Sequence, residues 1–252
     1  MFDLTGRRAL VTGASSGLGA NFAKALAAAG AHVILAARRI DRLEEVAAEI
    51  KSTGGKTSVV SMDVTNIESV ISAFDSIEVS CGCASILVNN SGLSREKWLT
   101  DMEEAEWDLV METNLKGAWL VAREAANRMI NVGASGSIIN ISSITAFRPA
   151  HMLGAYAPSK AAIQHLTHVM AIEWARSGIR VNAIAPGYFS TEINAGFLAS
   201  DPGEKMRKRV PMKRFGNLEE LNGPLLLLAS DAGSYMTGAT IVVDGGHLQS
   251  AL

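Results

Sequence analysis

The sequence predicts an α/β fold, doubly wound, in which a seven-stranded parallel sheet is flanked by helices. Three observations predict it. Short apolar, β-branched runs alternate with helical stretches along the whole chain, which is the signature of βαβ units around a buried parallel sheet. A glycine-rich turn, Gly13 to Gly19, joins the first run directly to the first helix. The composition is 48% hydrophobic and only 19% charged, enough to build a large core and too apolar for a disordered chain.

Taken in order, Arg8 to Thr12 is the first strand candidate, and the alanine-rich stretch that follows is a helix closed by Gly30. HVILAA is the second strand, followed by a helix over about Asp41 to Lys51. SVVSMDV and ASILVNNSG are the third and fourth, with a helix from Asn66 to Glu78 between them. A long amphipathic helix, Glu104 to Asn131, precedes GSIINISS. A second long helix, Ala155 to Ser177, precedes IRVNAIAPG, and ATIVVDGG is the last strand. Pro158 falls in the first turn of its helix, where a missing N–H is tolerated. No repeat or Pro/Ser-rich linker divides residues 1–252, so one dinucleotide-binding catalytic domain is expected. Its one irregular region, 186–215, reads as a substrate-binding loop insertion.

The formal charge of −2 supplies no basic field for nucleic acid or an anionic membrane. No apolar run reaches the length of a membrane span, and the N-terminus lacks the pattern of an export signal. Cys81 and Cys83, one residue apart, fit neither a disulfide framework nor a CxxC pair, and no histidine cluster completes a metal site. A reducing, cytoplasmic setting follows.

The glycine turn carries chemistry. Gly13, Gly17 and Gly19 let the backbone N–H groups of Ser15, Ser16 and Leu18 approach a pyrophosphate at a helix N-terminus. With strand before and helix after, this is a Rossmann-type nucleotide turn. At the end of the second strand, where NAD-binding chains usually place an acid, Arg38 and Arg39 stand instead. A guanidinium can pair with a 2′-phosphate that a carboxylate would repel. NADP(H) is therefore preferred, with NAD(H) as the second option. Further on, Tyr156 and Lys160 are spaced to share one helix face. An ammonium there favours the tyrosinate, so the phenol is expected to serve as acid or base nearer neutral pH.

These motifs occur in a telling order. Thr12-Gly13-x-x-x-Gly17-x-Gly19, Asn89-Asn90-Ser91-Gly92, Asn114, Ser143, Tyr156-x-x-x-Lys160 and Pro186-Gly187 span nearly the whole chain. The sequence resembles the compact single-domain branch of the short-chain dehydrogenase/reductase family, and is similar to its 3-oxoacyl carrier-protein reductases and carbonyl reductases. Ser91 departs from the commoner alanine of that branch.

The resemblance implies an oxidoreductase that interconverts a ketone and a secondary alcohol. Tyr156 would give or take the proton, Lys160 would support it and hold the nicotinamide ribose, and Ser143 would bond the substrate oxygen. Asn114 would help hold a water that relays protons to the lysine. Asp63 and Val64 would bracket the adenine. Asn90, Ser91 and Gly92 would line the ribose and nicotinamide, and Pro186, Gly187, Phe189 and Thr191 would pass along the nicotinamide. Ser142 competes with Ser143, but the family's serine-to-tyrosine separation selects Ser143. Strand alternation also sends the two side chains opposite ways.

Substrate walls are expected from Ile144, Met152, Leu153 and Tyr188, beside Ser143 and Tyr156, a mostly apolar lining. Lys205 to Arg214 carries six basic residues in ten. It reads as a solvated loop helix or, in the thioester-reductase alternative, as a landing patch for an acidic carrier or coenzyme A. A homotetramer is implied by resemblance. A catalytically idle cofactor sensor is the remaining alternative, and the intact Asn114, Ser143, Tyr156 and Lys160 argue against it.

Overall fold

A computed structural model describes residues 2–190 and 195–250 of the chain. Strands β1 (Arg8–Thr12), β2 (His32–Ala37), β3 (Lys56–Ser61), β4 (Ile86–Asn89), β5 (Gly136–Ile141), β6 (Ile179–Pro186) and β7 (Thr240–Val243) form one parallel sheet in the order β3-β2-β1-β4-β5-β6-β7. Val11 of β1 lies opposite Leu35 on one side and Val88 on the other. The strand order reverses between β1 and β4. In open parallel sheets that reversal opens a crevice at the carboxyl ends of the strands, where ligands bind.

Helices α1 (Gly17–Ala28), α2 (Ile40–Ser52), α3 (Ile67–Cys81), α4 (Glu104–Met111), α5 (Ala118–Asn131), α6 (Tyr156–Trp174), α7 (Ala195–Leu198), α8 (Asp201–Arg209) and α9 (Asn222–Ala229) complete the described residues. Each sheet face has its own core. Val11, Leu35, Leu26, Leu43 and Leu225 pack where α1, α2 and α9 cover one face. Leu10, Phe74, Val121, Ala125 and Met170 pack where α3, α5 and α6 cover the other. Strands buried on both sides must be apolar throughout, which is why they read as unbroken runs.

Local chemistry sets the helix ends. Asn66 caps α3 by accepting from the Ser69 N–H at 3.0 Å. Glu103 and Glu106 make a reciprocal capping box at α4. Behind α1, Gly30 takes φ +97°, and a Cβ there would meet Thr5 Oγ1 at 2.7 Å, so only glycine fits. Arg128 ties α5 to α3 through Asp75 and Glu78, and also bonds Glu124 on its own helix, at 2.7 Å each. Cys81 and Cys83 are free thiols near the end of α3, and burial raises the pKa of Cys83.

Two expectations change. The helix expected from Glu104 to Asn131 is interrupted by a π-helical segment, Glu112–Gly117, between α4 and α5. The segment ETNLKG buries Asn114 and Gly117 rather than apolar side chains, and such insertions often sit at functional positions. The region 186–215 is less irregular than expected, since it contains α7 and α8 and pairs Phe189 with Gly216.

Candidate active site

The carboxyl ends of β1 and β4 are laced together by a side chain whose role the sequence did not reveal. Thr12 Oγ1 accepts from the N–H groups of Asn90 and Ser91, both at 3.0 Å. Asn90 Nδ2 donates back to the carbonyls of Thr12 at 3.0 Å and Gly13 at 3.3 Å. Gly13 and Gly17 take positive φ, +64° and +54°. A Cβ on Gly19 would stand 2.2 Å from the Gly13 carbonyl oxygen and 2.6 Å from Asn90 Nδ2. The turn is thus a cradle of bare backbone at the start of α1, which fits a pyrophosphate.

Arg38 and Arg39 are both exposed beyond β2, and neither has a carboxylate within ion-pair reach among the described residues. Arg39 Nη2 donates to Ser15 Oγ at 3.1 Å, which brings its guanidinium onto the glycine turn. Arg38 lies toward Asp63. Burial would raise the Asp63 pKa, but bonds from Thr65 N–H and Oγ1, with the Arg38 charge, hold it below the usual carboxylate range. Val64 is buried against Gly117. Ser16 precedes α1 without a side-chain cap, and Leu18 packs on the core.

Farther along the crevice, β5 delivers Ser142 and Ser143 to opposite sides. Ser142 Oγ, buried, donates to the Lys160 carbonyl at 3.1 Å. Ser143 Oγ accepts from Thr145 N–H and Oγ1, at 3.1 and 2.9 Å, and lies near enough to the Tyr156 hydroxyl to lower its pKa. Tyr156 and Lys160 lie one turn apart at the start of α6, with Nζ 5.6 Å from the ring centroid. Lys160 is 5% exposed, and its Nζ donates to the Ile141 carbonyl at 2.8 Å.

The electrostatics differ from expectation. The lysine was expected to draw the tyrosine toward the tyrosinate. Instead burial pushes the Tyr156 hydroxyl above its ordinary value, and the nearby Ser143 offsets only part of that. Burial also pushes Lys160 down to about 8. An ammonium close to losing its own proton, set over the ring rather than at the hydroxyl, exerts little pull.

Asn114 sits in the π segment with its side chain buried and almost fully committed. Oδ1 accepts from the Leu93 N–H at 2.8 Å, and Nδ2 donates to the Leu93 carbonyl at 2.9 Å and to Ser159 Oγ at 3.1 Å. Ser159 donates in turn to the Tyr156 carbonyl at 2.7 Å. This clamp joins the strand-β4 loop to the first turn of α6, and Ser159 is a second positioning group that sequence reasoning missed. For the water relay that resemblance implies, the Asn114 side chain keeps one lone pair on Oδ1. Gly92 lies against it: a Cβ there would be 3.2 Å from Asn114 Oδ1 and 3.4 Å from Lys160 Nζ.

The remaining expectations divide. Pro186 ends β6, and Gly187 is pressed on Asp244, where a Cβ would stand 2.7 Å from the Asp244 Cβ. The Phe189 ring belongs to the core under Gly216, so only its backbone can line a cofactor. Thr191 lies outside the described residues. Ile144 is buried in the turn after Ser143, while Met152 is 40% exposed at φ 63°, a left-handed conformation unusual for its side-chain type. Leu153 bridges to Lys97. Tyr188 faces His247 and lies near enough to Tyr156 to affect its ionisation. In the basic segment, Arg207 and Lys208 pair with Glu204, and Arg214 pairs with Glu220. Two carboxylates thus offset two of the segment's six positive charges.

Known proteins resemble this chain over nearly its whole length. The family profile described as enoyl-(acyl carrier protein) reductase matches residues 13–247. A gluconate 5-dehydrogenase of Gluconobacter oxydans is 38% identical over 98% of this chain and 96% of its own. An NAD-dependent glycerol dehydrogenase of Listeria innocua is 37% identical over 98% and 95%. The crystal structure of a gluconate 5-dehydrogenase from Burkholderia cenocepacia, in complex with NADP and tartrate, superposes with a TM-score of 0.95 at 37% identity, covering 99% of this chain and 98% of that one.

Proposed function

The chain belongs to the short-chain dehydrogenase/reductase family, and on that premise we propose that it interconverts a ketone and a secondary alcohol with NADP(H), Tyr156 carrying the proton. The observation that carries this reading is the convergence of Ser143, Tyr156 and Lys160, with Nζ 5.6 Å from the tyrosine ring centroid and anchored on the Ile141 carbonyl. When bound, the nicotinamide supplies the hydride in reduction or accepts it in oxidation. Gly13, Gly17 and Gly19 hold the pyrophosphate, while Arg38 and Arg39 take the 2′-phosphate.

In ketone reduction the carbonyl oxygen sits between Ser143 Oγ and Tyr156 Oη. Ser143 donates a hydrogen bond that stabilises the developing alkoxide. Tyr156 gives its proton to that oxygen, a step worth about 10² to 10⁴ in rate for a positioned acid. Its raised pKa keeps the proton on Tyr156 at neutral pH, as a donor requires, while making it the weaker acid. In alcohol oxidation the tyrosinate form of Tyr156 takes the alcohol's proton and becomes the neutral phenol. Asn114 and Ser159 keep the first turn of α6 in register with the β4 loop.

NAD(H) is the second cofactor option, favoured by the NAD-dependent relative. The thioester-reductase alternative draws on the profile's description, but the ion-paired basic segment weakens it. A cytoplasmic homotetramer fits the apolar side chains that helices α4, α5 and α6 leave open, among them Trp107, Trp119, Val169 and Ile172. Rates of NADPH and NADH oxidation across ketones, β-keto esters, acyl thioesters and cyclic diketones test the reading. It expects ketone-dependent oxidation of NADPH, and no turnover with any carbonyl compound would refute it.

A further inference from the structure

Three segments far apart in the sequence meet at His247. Its ring lies 5.6 Å from that of Tyr188, which follows β6. The stretch after α8 packs underneath: Met212 donates from its N–H to the Gly245 carbonyl at 3.2 Å, and a Cβ on Gly246 would lie 3.1 Å from Pro211 Cγ. The loop after β5 arrives through Arg148, whose Nη1 donates to Ser250 Oγ at 3.0 Å. That hydroxyl donates to the His247 carbonyl at 2.9 Å.

The charges around this junction are unbalanced. The Asp244 carboxylate is occupied by the N–H groups of Gly246 and Leu248, at 2.8 and 2.7 Å. Arg148 and Arg209 both act on His247, and Arg209 also acts on Tyr188, with Glu96 the opposing carboxylate there. Arg207 and Arg214 are paired with glutamates. Arg148 and Arg209 have no ion-pair partner among the described residues. Two cations without an ion-pair partner act on this one histidine, against a single carboxylate, Asp244, whose oxygens are already bonded, and that excess suits an anion that comes from outside.

The histidine itself is configured as a donor. Its Nδ1 is buried and without a hydrogen-bond partner among the described residues. A doubly protonated ring would bury an unsatisfied N–H at that nitrogen, so the neutral form with its proton on Nε2 is the cheaper one. Burial accordingly holds the ring below its ordinary pKa, against the pull of Asp244. Tyr188 sets its ring beside the histidine and lies near enough to Tyr156 to raise its pKa.

We infer that the Tyr188–His247 pair, flanked by Arg148 and Arg209, is the subsite for a substrate carboxylate, so that the chain acts on a keto acid and the corresponding hydroxy acid. This rests on the oxidoreductase reading above and replaces the mostly apolar lining expected from sequence at that end of the cleft. His247 and Arg209 are binding and positioning residues here, with no part in proton transfer.

The test compares a short keto acid with its primary amide, each reduced with NADPH, in wild type, His247→Ala and Arg209→Gln. Wild type should favour the acid in kcat/KM. Each variant should lower the acid-to-amide ratio by about tenfold, chiefly through the KM for the acid. Loss of a merely structural contact would lower both substrates alike and leave the ratio standing. Because the Arg209 side chain is exposed, its variant keeps the test valid should His247→Ala fold poorly. A ratio unchanged in both variants, or a wild type that reduces neutral ketones as readily as keto acids, overturns the subsite and leaves the oxidoreductase reading intact. Absence of turnover with every ketone and both cofactors overturns the reading, and the subsite with it.

Discussion

Lys160 Nζ is tethered to the carbonyl of Ile141, the last residue of β5, at 2.8 Å. A lysine that would ordinarily swing on a flexible stem is fixed from below by the strand that delivers the serine. The same burial that fixes it makes its charge costly.

That cost has a pH signature. Lys160 falls from its model-peptide value of 10.5 to about 8 in the folded chain, so below pH 8 both states carry the proton and the full penalty of about 3 kcal/mol applies. Between about 8 and 10.5 the unfolded chain binds more protons than the folded one, and stability from this group rises with pH. Urea unfolding of wild type and Lys160→Met checks this. The stability of wild type relative to the variant should climb as pH passes from about 8 to about 10.

Removing the clamp should loosen the site without removing the acid. Asn114→Ala leaves the Leu93 N–H and Ser159 hydroxyl short of their partners. About 2 to 3 kcal/mol of stability should be lost, together with a fall in kcat, since Tyr156 would no longer be held in register. Thermal unfolding and steady-state kinetics measure the two effects separately.

Gly19→Ala should disable the nucleotide turn. The added Cβ would stand 2.2 Å from the Gly13 carbonyl, so the backbone must shift, at a cost of about 1 to 3 kcal/mol. NADPH affinity, read by fluorescence titration, should fall sharply, while the circular dichroism spectrum keeps its α/β form.

Cofactor choice should follow the two arginines. A charge-assisted hydrogen bond is worth about 1.5 to 3 kcal/mol. Arg38→Ala and Arg39→Ala should each reduce the NADPH-to-NADH ratio of kcat/KM by about ten- to a hundredfold. Arg39, already bonded to Ser15 on the turn, should show the larger effect. A strong native preference for NADH would sink both assignments.

Much of this was legible beforehand because parallel strands buried on two faces cannot hide their apolar runs. Strand alternation even separates Ser142 from Ser143, and the structure has them bonding different partners. What stayed hidden depends on distance in the chain. Thr12 holding Asn90 and Ser91, Asn114 meeting Ser159, and His247 meeting Tyr188 are pairings that only the closed fold brings together. The π segment stayed hidden for another reason, since nothing in ETNLKG, such as a proline, marks a break between the two helices. The expected lowering of the Tyr156 pKa failed because sequence spacing reports that a lysine is near, and says nothing of how deeply both groups are buried.

The most direct test of the central claim is Tyr156→Phe, which removes one hydroxyl and keeps the ring. With NADPH and a ketone that wild type reduces, kcat should fall by about 10² to 10⁴, while NADPH affinity stays within about twofold. A Tyr156→Phe enzyme that turns over as fast as wild type would contradict the assignment of the proton to Tyr156.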